Sequence, residues 1–400
     1  MRILSLTAQK PDSTGSGVFL TELVRGFAAQ GHAQAVLYGT VGKEEIRLPD
    51  GVAVYPVYYD SKELPFPVCG MSDEMPYEST RYRDLSEKMT RQLMTAFRRR
   101  LKQAVAEFKP DVILCHHLYF LAALARELFP KIPVYGQCHG SDLRQLATNP
   151  WQGDWIKEEV RELDGIFALH EAQKKQICDI FGLAPHRVTV VGTGYNSGVF
   201  SRDEQAKAER DSGKFRYIFA GKLSEKKGVY SLLRCLGHLT APENTEVLLA
   251  GGCGSEAELE KLKKMAGERP CQVTFLGKLD QRTLARFMNQ SDVFILPSFY
   301  EGLPLVLIEA MACGLRSICT DLPGIKPWLD RALPGNGTIF VSPPQMRNTD
   351  EPIPASLPDF EKRLARAMDD VRNAKLPDPQ QVAALSWDAL CGKLIQIFRR

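Results

Sequence analysis

Val293-Phe294-Ile295-Leu296-Pro297-Ser298-Phe299-Tyr300-Glu301-Gly302-Leu303-Pro304-Leu305-Val306-Leu307-Ile308-Glu309-Ala310-Met311-Ala312-Cys313-Gly314 reads as a strand, a turn and a helix in immediate succession. The apolar run Val293–Leu296 suits a buried strand. Gly302 permits a tight turn, Pro304 suits the first helical position and Gly314 ends the helix. The amides of Leu303, Leu305 and Val306 are then left to face whatever lies beyond the strand. Glu309 falls inside an otherwise apolar helix, where a carboxylate must meet a cation, hydroxyl donors or water. It follows Glu301 by eight residues, about 2.2 helical turns, which sets the two carboxylates at different levels of one cleft. That spacing fits two hydrogen-bond acceptors along a polyhydroxylated ligand better than an acid/base pair on one bond.

The same rhythm runs through the chain. Strands are expected near Ile3–Leu6, Ala35–Tyr38, Val112–Cys115, Val134–Gly136, Gly165–Ala168 and Val188–Val191. A second series covers Tyr217–Ala220, Glu246–Ala250, Val273–Leu276, Val293–Leu296, Ser317–Cys319 and Thr338–Val341, with helical segments between. Short buried strands alternating with helices make parallel βαβ units. The polar stretch Ser201–Lys214 is the expected linker. It divides an α/β chain into domains over 1–200 and 215–375, followed by a C-terminal helical segment over 376–400.

Four hundred residues exceed one ordinary domain, and 44% hydrophobic with 25% charged residues is the composition of a folded, water-soluble protein. The net charge of +3 gives no global basic field, which argues against a nucleic-acid binder. The ten cysteines are scattered, with none in C-x-x-C spacing, the pattern of reduced cytoplasmic thiols. The N-terminal apolar run is too short for a signal peptide, and no stretch is long enough to span a membrane.

Ligands of open α/β sheets bind beyond the carboxyl ends of the strands. After the first strand comes a small-residue loop with Gly15 and Gly17. After Val134–Gly136 comes His139-Gly140-Ser141-Asp142, in which Ser141 or Asp142 is explained by helix capping, while His139 puts an imidazole at the sheet mouth. Gly221-Lys222-Leu223-Ser224-Glu225-Lys226-Lys227-Gly228 ends a strand and opens a helix, so Lys222 and Lys227 would flank an anion. It is not a P-loop, and no dinucleotide fingerprint follows the first strand. Cys115-His116-His117 closes a buried strand and is read as structural rather than metal-binding. His170-Glu171 reads as ordinary capping or a strand-end site.

Three further segments stand apart. Asp60–Arg83 is a lid, a binding loop or disordered, and Pro343–Pro358 is a surface connection. Asp84–Phe108 is one long helix with Arg98, Arg99 and Arg100 on it. Its arginines are either a solvated face or a contact for an anionic membrane surface or an acidic acceptor.

Together these residues resemble a retaining glycosyltransferase of family GT4, with the GT-B fold of two facing Rossmann-like doubly wound domains. The resemblance covers nearly the whole chain, from the Gly15/Gly17 loop to Gly324, and the Glu301-x7-Glu309 segment is its most specific element. It implies that the C-terminal helix within 376–400, with Ser386-Trp387-Asp388 and Phe398, packs back on the first domain. It implies that Glu301 bonds the donor sugar and Glu309 the ribose, with Lys222 and Lys227 on the diphosphate. The amides of Gly302, Leu303, Leu305 and Val306 would support sugar and phosphates, with Gly15, Gly17 and Gly221 lining the donor. Gly277, Lys278 and Leu279 would lie along the base and His139 would touch the sugar. Lys222 departs from the arginine more usual there and loses a bidentate fork.

The resemblance further implies a nucleotide-sugar donor, UDP-linked, as co-substrate, with no cofactor and no metal. The acceptor is a sugar, a lipid-linked group or a small molecule, with no nucleic acid as partner. It places the enzyme in the cytoplasm, with peripheral contact at the inner face of the membrane as an option. A non-hydrolysing UDP-sugar 2-epimerase and a non-catalytic sugar-nucleotide-binding module share the architecture and stay open.

Overall fold

Strands Arg2–Thr7 (β1), Ala33–Val41 (β2) and Ala53–Tyr59 (β3) begin the chain, followed by the two-residue strands Cys69–Gly70 (β4) and Thr80–Arg81 (β5). Then come Val112–His116 (β6), Val134–Gln137 (β7), Gly165–Ala168 (β8) and Val188–Val190 (β9). The second half supplies Phe215–Ala220 (β10), Thr245–Ala250 (β11), Gln272–Gly277 (β12), Val293–Leu296 (β13), Arg316–Thr320 (β14) and Ile339–Val341 (β15). This is a computed structural model, and it describes every residue except 12, 43–45, 47, 73, 74, 211, 212, 349 and 350.

The chain divides into two units, Met1–Thr193 with Trp387–Arg400, and Gly194–Ser386. The first holds a seven-stranded sheet in the order β3-β2-β1-β6-β7-β8-β9, and the second a six-stranded sheet in the order β12-β11-β10-β13-β14-β15. Among the described residues, every ladder in both is parallel. Strand order reverses between β1 and β6 in one unit and between β10 and β13 in the other. A doubly wound sheet opens its ligand crevice at that switch point, beyond the strands' carboxyl ends.

Alternation along the strands builds the cores. In the second unit Tyr217, Phe219, Val293 and Ile295 enter one cluster, while their neighbours Ile218, Ala220, Phe294 and Leu296 enter another. Two apolar faces with helices on both sides are what parallel strands require. In the first unit Leu37 joins the main cluster, while Val36 and Tyr38 pack with Leu20 and Val24 on the other side.

Strand β3 was not among the expected strands. It carries Pro56, whose missing N–H is tolerated at an edge, and β3 is the edge strand. The long helix starts at Glu87, capped by Ser86, because Tyr82–Asp84 form a separate 3-10 turn. The change of unit falls at Thr193/Gly194 rather than across Ser201–Lys214. That polar segment is docked on the second unit: Glu204–Ala208 is helical, Asp203 N donates to Asn289 Oδ1 at 2.8 Å, and Arg210 pairs with Asp292 at 2.7 Å. Residues 211 and 212 of it lie outside the described residues. The Asp60–Arg83 segment is packed: Leu64, Phe66, Val68, Met71 and Tyr82 are buried in the first unit's core, with 73 and 74 outside the described residues. In Pro343–Pro358, Met346 and Pro352 form an antiparallel bridge, and 349 and 350 lie outside the described residues.

The last helix, Trp387–Phe398, packs on the helix Gly15–Ala29 of the first unit. Phe19 meets Trp387 edge-on at 5.0 Å, Gln30 Nε2 donates to the Asp388 carbonyl at 2.8 Å, and Cys391 Sγ donates to the Leu23 carbonyl at 3.6 Å. A Cβ on Gly26 would stand 2.5 Å from Cys391 Sγ, so glycine there lets the two helices approach.

Candidate functional site

At the switch point of the second unit, backbone hydrogen bonds lace the strand ends together. Gly221 N donates to the Ala250 carbonyl at 3.0 Å, Gly251 N to Gly277 at 2.7 Å, Leu223 N to Gly252 at 2.9 Å and Phe299 N to Lys226 at 2.9 Å. Two glycines make this possible. A Cβ on Gly251 would lie 1.7 Å from the Gly221 carbonyl oxygen, and one on Gly228, at φ +69, would lie 2.0 Å from that of Pro297.

The 3-10 turn Glu225–Lys227 then presents Lys227 toward the loop that follows β13. Its Nζ lies 2.7 Å from Glu301 Oε1, and Ser298 Oγ donates to the same oxygen at 2.7 Å. Beyond Glu301, the helix Leu305–Ala312 begins with Pro304 at its N-cap, no side-chain cap and no acidic residue in the first turn. Helix geometry leaves the first amides, including those of Leu305 and Val306, without intrahelical partners and gives that end a partial positive charge. A lysine paired with a carboxylate, beside an uncapped helix N-terminus, can hold an anion and a polyol together. Lys222 and Lys278 are exposed on neighbouring strand-end loops, and Glu309 is half-buried on the helix.

At the switch point of the first unit, Thr14 caps the helix Gly15–Ala29 by accepting from Gly17 N at 3.2 Å. Ser16 Oγ accepts from Gln9 Nε2 at 2.9 Å and lies 3.2 Å from His117 Nε2. Three imidazoles gather beside it. His116 Nδ1 is 3.3 Å from His139 Nε2, their rings stacked with centroids 5.5 Å apart, and His117 meets His139 at 4.9 Å. Phe19 closes on His139 edge-on at 5.1 Å. Burial holds His116 down to about 3, and burial also lowers His117 and His139. All three are therefore neutral at pH 7. Among the described residues, no group of three or more His, Cys, Asp or Glu side chains is placed to hold a metal ion.

Asp142, fully buried, organises this loop. Its carboxylate accepts from Gly140 N at 2.7 Å, Leu118 N at 2.8 Å, Leu143 N at 3.2 Å and His139 N at 3.3 Å. The helix cap is Gly140, at φ +90, and neither Ser141 nor Asp142 takes that place. His170 is itself the cap of its helix, its Nδ1 accepting from Gln173 N at 3.1 Å.

Two family models match the chain in tandem, Glycosyltransferase Family 4 over residues 13–198 and Glycosyl transferases group 1 over residues 200–352. The chain belongs to the family 4 glycosyltransferases. This family 4 chain is 24% identical over 272 residues to an uncharacterized glycosyltransferase of Methanocaldococcus jannaschii, covering 57% of this chain and 69% of that one. It is 24% identical over 229 residues to glycogen synthase of Mycobacterium tuberculosis, covering 54% of each. Over its full length it superposes on 98% of sucrose-phosphate synthase from Thermosynechococcus elongatus, with a TM-score of 0.67 at 16% identity. The same coverage holds against 99% of an Anabaena protein crystallised with UDP-glucose, with a TM-score of 0.63 at 14% identity. At such identities the likeness shows the fold, which is GT-B.

Against the expectations for a family 4 site, the structure gathers Gly221, Lys227, Glu301 and the Leu305–Val306 amides at one switch point. It alters three details. Only Glu309 is helical, and Glu301 stands in the loop before the helix, so their separation is not a helical rise. Pro304 is the N-cap, not the first helical residue. Gly302 does not adopt a left-handed φ, and a Cβ there would meet nothing within 4 Å. Neither backbone conformation nor packing requires glycine at Gly302 or at Gly15.

The three arginines do not form one patch. Arg98 pairs with Glu127 at 2.7 Å, Arg99 with Glu63 at 2.5 Å, and Arg100 donates to the Pro56 carbonyl at 3.0 Å. Sequence reasoning passed over His116, Gln9 and Asp142 as site residues. Polar side chains that close buried strands were the available signal.

Proposed function

We propose that this family 4 chain moves a hexosyl group from a UDP-linked sugar to an acceptor nucleophile, with retention of configuration and without a metal. The observation that carries the reading is the Lys227–Glu301 pair beside the uncapped helix Leu305–Ala312. Departure of a nucleoside diphosphate leaves negative charge on phosphate and positive character on the sugar. Preorganised cations and helix amides aimed at that phosphate are the main source of stabilisation.

An arriving diphosphate competes with Glu301 for Lys227. Drawing the lysine away frees the carboxylate to accept from sugar hydroxyls, while Glu309 accepts from the ribose. With the leaving phosphate oxygen taking the acceptor's proton, no protein general base is needed. The UDP and UDP-glucose carried by the structural relatives support a uridine donor.

A thermal-shift screen of UDP-, GDP- and ADP-sugars, each repeated with EDTA, tests the reading, because a ligand held only by the folded state raises Tm. Stabilisation by a UDP-sugar with and without EDTA is expected. Preference for another base would overturn the uridine assignment. Conversion of UDP-GlcNAc to a new sugar nucleotide without acceptor would overturn transfer itself.

A further inference from the structure

The histidine pair at the end of β6 was read from sequence as the close of a buried strand, and so it is. Its first member also touches His139. His116 is buried, and among the described residues its Nδ1 hydrogen-bonds to His139 Nε2 at 3.3 Å. Its other nitrogen, Nε2, is buried with no partner among the described residues.

A bond between two neutral imidazoles needs one proton, and two assignments exist. If His139 donated, His116 would carry its own proton on Nε2, a buried N–H with no acceptor. If His116 donates from Nδ1, its Nε2 is bare and only a lone pair goes unmet. Orphaned buried N–H groups are the rarer of the two in folded proteins. The second assignment is favoured, and it leaves His139 accepting at Nε2 and protonated at Nδ1, since one nitrogen's hydrogen bond sets the other's protonation.

We propose that His116 is a positioning residue whose Nδ1–H holds His139 in the Nδ1–H tautomer, so that His139 offers a ligand oxygen a hydrogen-bond donor and not a lone pair. The oxygen is that of a sugar hydroxyl or phosphate, and this clause rests on the donor reading above. The surroundings fix the ring as well as the proton. Phe19 stands edge-on to it, and Asp142 accepts from the His139 and Gly140 amides.

The experiment uses full-length protein with ¹⁵N-labelled histidine, in which two-bond ¹H–¹⁵N spectra distinguish the tautomers and His139→Gln identifies the His139 signals. Wild type is expected to show Nδ1–H. His116→Leu is expected to release His139 to Nε2–H, and His116→Asn, whose amide N–H replaces the ring donor, to restore Nδ1–H. In calorimetry with UDP-glucose and UDP as probes, His116→Leu is expected to weaken UDP-glucose by about tenfold, the scale of one lost hydrogen bond, and to leave UDP unchanged. Nε2–H in wild type, an unchanged tautomer in His116→Leu, or parallel loss of UDP affinity would overturn the proposal. Failure of wild type to bind either probe overturns the donor reading and leaves the tautomer result to decide this one.

Discussion

Lys227 Nζ and Glu301 Oε1 stand 2.7 Å apart, joining the loop after β10 to the loop after β13 across the switch point. The lysine side chain is 32% exposed and the glutamate 14%, so the pair is neither a surface ornament nor a sealed core bridge. Partial exposure keeps its contribution to stability small, about 0–1 kcal/mol. Lys227→Met is therefore expected to change Tm little while weakening UDP at least about tenfold, the cost of a lost charge-assisted hydrogen bond to phosphate. Calorimetry beside a melting curve checks both. A large fall in Tm with unchanged UDP affinity would make the pair structural.

Glu309→Gln keeps the shape of the side chain and removes its charge. Binding of UDP is expected to weaken by about tenfold or more if the carboxylate accepts from a ribose hydroxyl. Titration with UDP and with a 2′-deoxy analogue checks this, since the variant should lose the discrimination between them.

Two glycine substitutions should separate architecture from ligand contact. Gly228→Ala places a Cβ 2.0 Å from the Pro297 oxygen at φ +69, whereas Gly302→Ala meets no atom within 4 Å. The first is expected to destabilise by about 2 kcal/mol or more. The second should leave Tm unchanged and reduce UDP-glucose binding. Denaturant melts and calorimetry on both proteins check the contrast.

Asp142→Asn turns one acceptor oxygen into a donor amide facing backbone N–H groups. It is expected to cost about 2–4 kcal/mol, as an unsatisfied buried group does. Urea unfolding measures the loss, and the His139 resonances should broaden or shift as the loop loosens.

The neutral imidazoles give the stability a pH dependence of definite sign. His116, His117 and His139 all take protons less readily when folded than at their ordinary value of 6.5. The unfolded chain then binds more protons below that pH, so stability is greatest above it and falls as pH drops. For His116 the decline runs from 6.5 to about 3, at about 1.4 kcal/mol per pH unit for each proton involved. Urea unfolding between pH 7.5 and 5 checks this, and His116→Asn should flatten the slope by about one proton.

Much of the fold was legible because buried parallel strands are short apolar runs punctuated by glycine, as Val293–Leu296 and Tyr217–Ala220 show. What escaped did so for physical reasons. Pro56 disguises an edge strand that needs no N–H there. The segment Ser201–Lys214 looks like a linker because its anchors, Asp203 and Arg210, are polar and bind by hydrogen bonds. At the candidate site, the strand-end placement of Glu301 and His139 was readable from type and position. The bonds from His116 to His139 and from Asp142 to its amides join strand ends and loops that only the sheet order brings together.

The last helix belongs to the first unit although the whole of Gly194–Ser386 is made before it. Synthesis therefore completes the second unit's sequence while the first still lacks its covering over Phe19, Leu23 and Phe27. Until Trp387, Cys391 and Phe398 emerge, that apolar strip is open to chaperones or to misassociation. A stop codon at Trp387 would leave every named strand and both switch points encoded, yet would strand the newborn protein in that unfinished form.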